Sequence, residues 1–309
     1  MTATVVSGSA TVGGTAFPVT ASITLPAAPV TPPPPAAAGC NLAVYDVAND
    51  LPSSWSGEAA FIQAGCPLKM ATMYIQWPSG GQASNWPTNL ASLAEAAGVG
   101  LFVEMEPWFT STTWPAFTSI AAGQYDAYLQ AMAASAAAFK GTLYMTYAHE
   151  MNGSWYPWGN GGAEGVTAAQ WVASWQHVVT VMSAVAPNIQ WVWAPNNADV
   201  GSVVPYYPGP EYVGVHAWDG YLQNEEQTYA SFLQQTVTEI RSLTSEPVWL
   251  SETGIEPADG TRAARITSFL GDLQQAGISG LCWFNQSPFS LTAAEMPVFA
   301  AAVNAWNAA

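Results

Sequence analysis

The run GTLYMTYAHEMNGSW, residues 141–155, sets β-branched and aromatic residues directly before a cluster holding a histidine, a glutamate and an asparagine. GTLYMTYA reads as a strand, and the polar cluster begins where that strand should stop. Glu150 therefore falls at or just past a strand end. One such end decides little, but the pattern repeats along the chain.

Candidate strands cover residues 41–47, 69–75, 98–105, 142–149, 189–194, 212–217, 247–251 and 279–284. Helical stretches lie between most of them: LASLAEAAG, QYDAYLQAMAASAAAF, TAAQWVASWQHVVTVMSAV, QTYASFLQQTVTEIRSL and GTRAARITSFLGDLQQAG, with AAEMPVFAAAVNAWN after the last. Strands alternating with helices argue for a parallel sheet with crossovers, and eight such units in about 270 residues predict an α/β fold, a closed (β/α)8 TIM barrel. A doubly wound open sheet would carry a glycine-rich phosphate loop after an early strand, and the early strand ends show none.

Upstream of the barrel, residues 1–25 alternate Thr, Val, Ser and Ala around Gly13 and Gly14, a pattern for a short hairpin. The segment PAAPVTPPPPAAAG follows and should be extended and semi-rigid. The expected organisation is a β-rich remnant of an upstream module with a proline-rich linker over 1–38, then the barrel domain over 39–309.

Half of the 309 residues are apolar and 12% are aromatic, enough for one large core. The 21 acidic against 5 basic side chains give a net charge of -16, which repels phosphate backbones and anionic lipid surfaces, so neither nucleic acid nor membrane is an expected partner. The start, MTATVVSGSA, lacks the charged and apolar regions of a signal peptide. Few of the carboxylates have basic partners, so acid surroundings should relieve repulsion rather than break salt bridges.

In a barrel of this kind function gathers at the C-terminal ends of the strands. Those ends carry Trp77, then Glu104, Glu106 and Trp108, then HEMNGSW, WAPNN, HAWDGY with His216, Trp218 and Tyr221, SETG with Glu252, and WFNQ with Trp283 and Asn285. Flat apolar indole faces suit the C–H face of a pyranose, which marks Trp108, Trp155, Trp218 and Trp283 for sugar contact, while Asn, Asp and Glu suit hydroxyls. Trp171, Trp175 and Trp306 fall in helical patterns and are assigned to packing, and His177 to a surface or packed place. His149 and His216 are far apart in sequence with no paired ligand motif, so no metal is expected, and a serine-hydrolase elbow is missing. Glu150 and Glu252, at the ends of the fourth and seventh strands, are the paired carboxylates that glycoside hydrolysis requires.

This order of an acid on strand four and a nucleophile on strand seven resembles the retaining barrel glycosidases of clan A. HEMNGSWYPWG, with WVWAPN, YYPG, SETG and EPW, resembles glycoside hydrolase family 26, whose best-known members are endo-β-1,4-mannanases. The resemblance implies a secreted retaining endo-glycosidase without a cofactor, an endo-β-1,4-mannanase acting as a monomer on β-1,4-mannan type polysaccharides. It makes Glu150 the acid/base, Glu252 the nucleophile, His149 a neighbour of the acid/base and Tyr221 a donor to the nucleophile. Trp155 and Trp283 would hold sugar rings, with Asn285 at the substrate. Two departures stand out: Thr146 where many relatives have arginine, and His216 near where they have aspartate. A β-1,3-1,4-glucanase or β-1,3-xylanase shares the motif. A binding-only descendant would be expected to have lost one of the two glutamates.

Of the three cysteines, Cys40 precedes the first barrel strand and Cys66 the second, so a Cys40–Cys66 disulfide across the barrel bottom is expected, with Cys282 a buried thiol.

Overall fold

The computed structural model describes residues 3–12, 15–23, 40–46, 55–78, 84–257 and 260–308. Strands β1 (Ala3–Val12) and β2 (Thr15–Ile23) pair antiparallel in a two-stranded sheet, from Ala3↔Ile23 to Val12↔Thr15. The Gly13–Gly14 turn and the proline-rich segment lie outside the described residues.

Eight parallel strands form the (β/α)8 TIM barrel: β3 (Asn41–Asp46), β4 (Leu68–Gln76), β5 (Gly100–Glu106), β6 (Leu143–Tyr147), β7 (Ile189–Trp193), β8 (Val215–Asp219), β9 (Val248–Thr253) and β10 (Ile278–Asn285). They pair in chain order, and β10 closes the ring on β3 from Gly280↔Asn41 to Asn285↔Asp46. Helices α1 (Ser56–Gln63), α2 (Thr88–Ala97), α3 (Phe117–Ala121), α4 (Asp126–Ala138), α5 (Ala168–Ser183), α6 (Gln234–Arg241), α7 (Arg262–Gln275) and α8 (Met296–Ala308) surround it. Thr167 caps α5 in a reciprocal box with Gln170, which satisfies two N-terminal donors. Between β7 and β8 the chain makes only two 3₁₀ turns, Val204–Tyr206 and Pro210–Tyr212. Pro205, Pro208 and Pro210 lack the N–H that a longer helix would use. Those turns also delay the sixth barrel strand, which begins at Val215 and not at residue 212.

Successive side chains on each strand alternate between two cores. Ala43, Tyr45, Met70, Phe102, Tyr144, Val192, Ala194, Val215, Ala217, Trp249 and Cys282 fill the barrel. Leu42, Val44, Leu101, Val103, Leu143, Trp191 and Leu250 belong to the larger cluster between the sheet and its helices. Trp171 and Trp175 stack there at 5.2 Å, and Trp306 is buried, as the helical pattern implied. His177 on α5 meets Asp126 of α4 at 2.6 Å.

The expected Cys40–Cys66 bridge is not formed: Cys40, Cys66 and Cys282 are all free, buried thiols. Cys40 and Cys66 sit in the outer apolar cluster. Burial pushes the Cys40 thiol far up and that of Cys66 to about 11, which suppresses the thiolate that disulfide chemistry needs. Among the described residues no helix is long and apolar enough to cross a membrane.

Gly100 opens β5 where a Cβ would lie 2.5 Å from the Thr142 carbonyl oxygen. Gly100→Ala should therefore destabilise the barrel by about 1–3 kcal/mol. Urea unfolding is expected to show a lower midpoint with an unchanged slope, and an unaltered midpoint would contradict the close approach.

Candidate active site

Strand β6 stops at Tyr147, two residues short of the expected end, because the backbone turns left-handed at Ala148 (φ 49°) and again at Glu150 (φ 54°). Neither residue is glycine, so each turn is held against a steric cost. The holding groups surround it. Ala148 N–H donates to the Met105 carbonyl at 3.0 Å and Glu150 N–H to the Ala194 carbonyl at 2.8 Å. The Trp171 indole donates to the Ala148 carbonyl at 3.0 Å, and the Trp158 indole to the His149 carbonyl at 2.8 Å. Buried Asn152 then fixes the loop after β7: its Oδ1 accepts from Asn196 N–H at 2.7 Å, and its Nδ2 donates to the carbonyls of Asn196 at 2.9 Å and Gly201 at 2.8 Å. That places the Asn196 amide to donate to one oxygen of Glu150 and leaves the other for the Trp155 indole.

Glu252 reaches the mouth by a different irregularity. The pairing of β8 with β9 slips between Trp218↔Leu250 and Asp219↔Glu252, leaving Ser251 as an extra residue on β9. A bulge of this kind re-aims the side chains beside it. Tyr221 donates its hydroxyl to Glu252 Oε2 at 2.5 Å, and Ser251 donates to Asp219 Oδ1 at 2.7 Å. Carboxyl oxygens of Glu150, Asp219 and Glu252 lie within 4.8 Å of one another, and so do polar atoms of Glu104, His149 and Glu252. These groups are close enough to chelate a cation, yet Glu150 and Glu252 already accept N–H and O–H donors, an environment built for carboxyl groups.

Electrostatics separate the group members. Burial, then the charge of Glu252, raises the Glu150 carboxyl from 4.5 to about 8 against the hydrogen bonds of Asn196 and Trp155. Burial also raises Glu252, but hydrogen bonds from Tyr221, Tyr74 and Glu104 oppose it. Glu104 and Asp219 are both pushed well above the carboxylate range, by burial first and by Glu252 second. His149 has nitrogen atoms 3.7 Å from Glu104 and 3.8 Å from Glu252, yet burial lowers it from 6.5 to about 3 and keeps it neutral. Its Nε2 lies 3.1 Å from the Tyr156 hydroxyl.

Glu150, Glu252, His149, Tyr221 and Trp155 thus meet as the sequence suggested. Trp155 is half exposed beside a cleft of about 350 Å³ that Asn196, Asp199, Tyr221 and Phe289 also line. Trp108 is not among the residues lining that cleft; its indole donates to Glu106 at 3.2 Å and its ring is edge-on to Tyr156 at 5.6 Å. A larger cavity of about 570 Å³ lies at the opposite end of the strands, around Lys69, Glu95 and Lys140, away from every one of these carboxyls.

Three expected contacts are corrected. Trp283 points out of the barrel, fully buried against Phe299 of α8 at 5.1 Å and donating to the Phe289 carbonyl. Its neighbour Phe284 faces inward, stacked on Tyr45 at 4.8 Å and edge-on to Tyr221 at 5.8 Å. Trp218 is likewise fully buried in the outer cluster. Asn285 is engaged within the protein, donating to Asp46 at 2.8 Å and accepting from Leu291 N–H at 2.9 Å. His216 packs outside the barrel against Trp193 and Tyr207, so the group that β8 delivers to the mouth is Asp219. The sequence reading missed Asp219, Tyr74, Tyr156, Asn152, Asn196 and Phe284. Asp219 was discoverable from the alternation Val215, Ala217, Asp219.

Trp283→Ala should cost about 3–5 kcal/mol as a core deletion. A thermal midpoint close to wild type would put Trp283 back in the cleft. The site carboxyls also set the pH dependence of stability. Raised groups such as Glu150 contribute stability that is complete below their ordinary value near 4.5 and is lost as pH climbs through about 8. His149 and His216, lowered to about 3 and about 4, act oppositely: their contribution is complete above 6.5 and is lost as pH falls through those values. The melting temperature should therefore rise as pH drops from about 8 to 6.5 and flatten below that, where the histidines offset the carboxyls. A steady fall from about pH 8 to 6.5 would contradict these assignments.

Residues 119–261, which contain both Glu150 and Glu252, match the description Glycosyl hydrolase family 26. Endoglucanase H of Acetivibrio thermocellus is 28% identical over 236 residues, 72% of this chain and 25% of that protein, so the chain spans about a quarter of the length of this curated relative. A GH26 β-mannanase from Bacteroides ovatus superposes with a TM-score of 0.62 at 15% identity, covering 86% of this chain and 88% of that one. The mannanase man26 of Bacillus subtilis gives 0.60 at 14%, covering 85% and 84%. Those two likenesses speak for the barrel, whereas the stretch that matches glycoside hydrolase family 26 carries the two buried glutamates and the left-handed turn between strand and loop.

Proposed function

We propose that this glycoside hydrolase cleaves a β-linked polysaccharide internally and with retention, through Glu150 as acid/base and Glu252 as nucleophile. The observation that carries the reading is the close approach of two differently tuned carboxyls, their oxygens within 4.8 Å, compatible with the separation of about 5–5.5 Å between carboxyl groups in retaining enzymes. Glu150, raised to about 8, keeps its proton at neutral pH for the leaving oxygen. Glu252, supplied with the Tyr221 hydroxyl, is the better placed of the two to stay ionised. Its oxygen attacks the anomeric carbon as Glu150 protonates the departing sugar, giving a glycosyl ester. Glu150, now ionised, takes a proton from water, whose oxygen displaces Glu252. Trp155, exposed beside Glu150, offers a face to the departing sugar.

For the substrate, the similarity to a protein named endoglucanase H favours a β-1,4- or mixed-linkage β-1,3-1,4-glucan. Mannan is the second reading, favoured by the mannanases among the structural neighbours. Either is a polymer too large to enter a cell, which supports a secreted enzyme.

Reducing-sugar release from mixed-linkage glucan, carboxymethyl cellulose, mannan, galactomannan and xylan is expected to be largest with one of the glucans, and release from mannans alone would reverse the order. Proton NMR of the first product should show the β anomer; an α anomer would sink the mechanism. Glu252→Ala should lose at least about 10⁴-fold in kcat. Glu150→Ala should lose activity on polysaccharide but keep the glycosylation step on substrates whose leaving group needs no protonation. The alkaline limb of kcat/KM should lie near the Glu150 value of about 8.

A further inference from the structure

Glu104 is a third buried acid that the two-glutamate mechanism does not use. It projects from β5, fully buried, in register with Tyr74 on β4 and Thr146 on β6. Every element around it presents an acidic or neutral group: Tyr74 from β4, Glu106 from its own strand, His149 and Tyr156 after β6, Asp219 and Tyr221 at β8, Glu252 from β9 and Cys282 from β10. Neither Glu104 oxygen accepts an N–H, and His149 Nδ1, at 3.7 Å, is beyond hydrogen-bond reach.

The chain's five basic side chains are all elsewhere. Lys69 and Lys140 line the cavity at the other end of the strands. Arg241, Arg262 and Arg265 bind carbonyls around α6 and α7. A buried carboxylate with neither cation nor N–H donor is prohibitively costly beside a second carboxylate, so one of the pair carries a proton. Glu252 has the Tyr221 hydroxyl to support a charge. Glu104 has only the Tyr74 hydroxyl, which it shares with Glu252; its oxygen lies within 4.8 Å of a Glu252 oxygen, and Glu252 Oε1 is not the oxygen that Tyr221 occupies.

We propose that Glu104 is a positioning residue held as a neutral acid, donating its O–H to the Glu252 carboxylate where a cation would otherwise stand, and so keeping Glu252 ionised in acid. This rests on the assignment of Glu252 as nucleophile. The device suits a site of concentrated negative charge: a neutral donor supports the nucleophile without adding a formal charge that would drain the proton from Glu150. The raised position of Glu104 and the downward pull it exerts on Glu252 agree with that arrangement.

Two variants separate a neutral donor from an ionised or merely packed group. Glu104→Gln keeps a neutral donor and should leave the acidic limb of the kcat/KM profile within about 0.3 pH unit of wild type. Glu104→Leu removes the donor and should move that limb up by about one pH unit, with roughly tenfold lower kcat/KM below it. An unmoved limb in Glu104→Leu, or both limbs shifted down in Glu104→Gln as when a charge is removed, overturns the proposal. The proton itself is read without substrate. At about pH 9, where Glu150 is largely ionised, infrared difference spectra in D2O between wild type and Glu104→Gln should show a neutral carboxylic-acid carbonyl band belonging to wild type. Only carboxylate bands in that difference would refute the neutral state. This readout stands even if Glu104→Leu does not fold. It also distinguishes the failures: a wild type inactive on every glycan defeats the functional reading, while the infrared band still decides the proton.

Discussion

Tyr221 hands its hydroxyl to Glu252 at 2.5 Å inside a barrel mouth that also holds Glu104, Glu150 and Asp219. No lysine or arginine enters that space, and the attraction that usually makes buried carboxylates tolerable is missing. The surrounding chemistry compensates with neutral donors: the indole of Trp155, the amide of Asn196, and the hydroxyls of Ser251, Tyr74 and Tyr221. Neutral donors stabilise charge at chosen atoms without fixing it, so the proton count of the cluster can change within one catalytic cycle. A net charge of -16 on the whole chain pushes the same way, favouring protons in the site and opposing loss of the one on Glu150.

The barrel was legible because parallel strands buried on both faces read as continuous apolar runs, and their ends as sudden polar clusters. All eight strands are present and Glu150 and Glu252 meet. What the sequence hid was which way neighbouring residues point. Trp218 and Asp219, or Trp283 and Phe284, are adjacent on strands whose two faces are equally apolar, so composition gives the period of two without its sign. The bulky tryptophan was the natural choice for a sugar platform on each strand, and in each the barrel presents the neighbour instead. Asn152 was invisible for another reason: its four hydrogen bonds join backbone 44–49 residues away, a relation no local pattern encodes.

Both carboxyls proposed for catalysis sit where regular geometry breaks. Glu150 follows a left-handed turn at Ala148 and is itself left-handed. Glu252 follows the extra residue on β9. A strict strand would carry Leu250 and Glu252 to the same face, the outer one, where Leu250 packs. The bulge at Ser251 reverses that parity and also sends the Ser251 hydroxyl to Asp219, so one irregularity positions two acids.

Strain at residues 148 and 150, about 1–3 kcal/mol each, has to be met by contacts that an ordinary strand end would not need. Two of the 15 tryptophans supply part of it: the indoles of Trp171 and Trp158, both buried, donate to consecutive carbonyls, Ala148 and His149. Tyr156 stacks on Trp158 at 4.4 Å and then meets His149 with its hydroxyl. The YPW that follows HEMNGSW is therefore more than loop surface. It folds back beneath the glutamate it succeeds, clamps the backbone that aims that glutamate, and leaves the preceding Trp155 half exposed at the cleft. The same short stretch thus supplies the acid, the donor that tunes it and the rings that hold its backbone in a conformation it would not adopt alone.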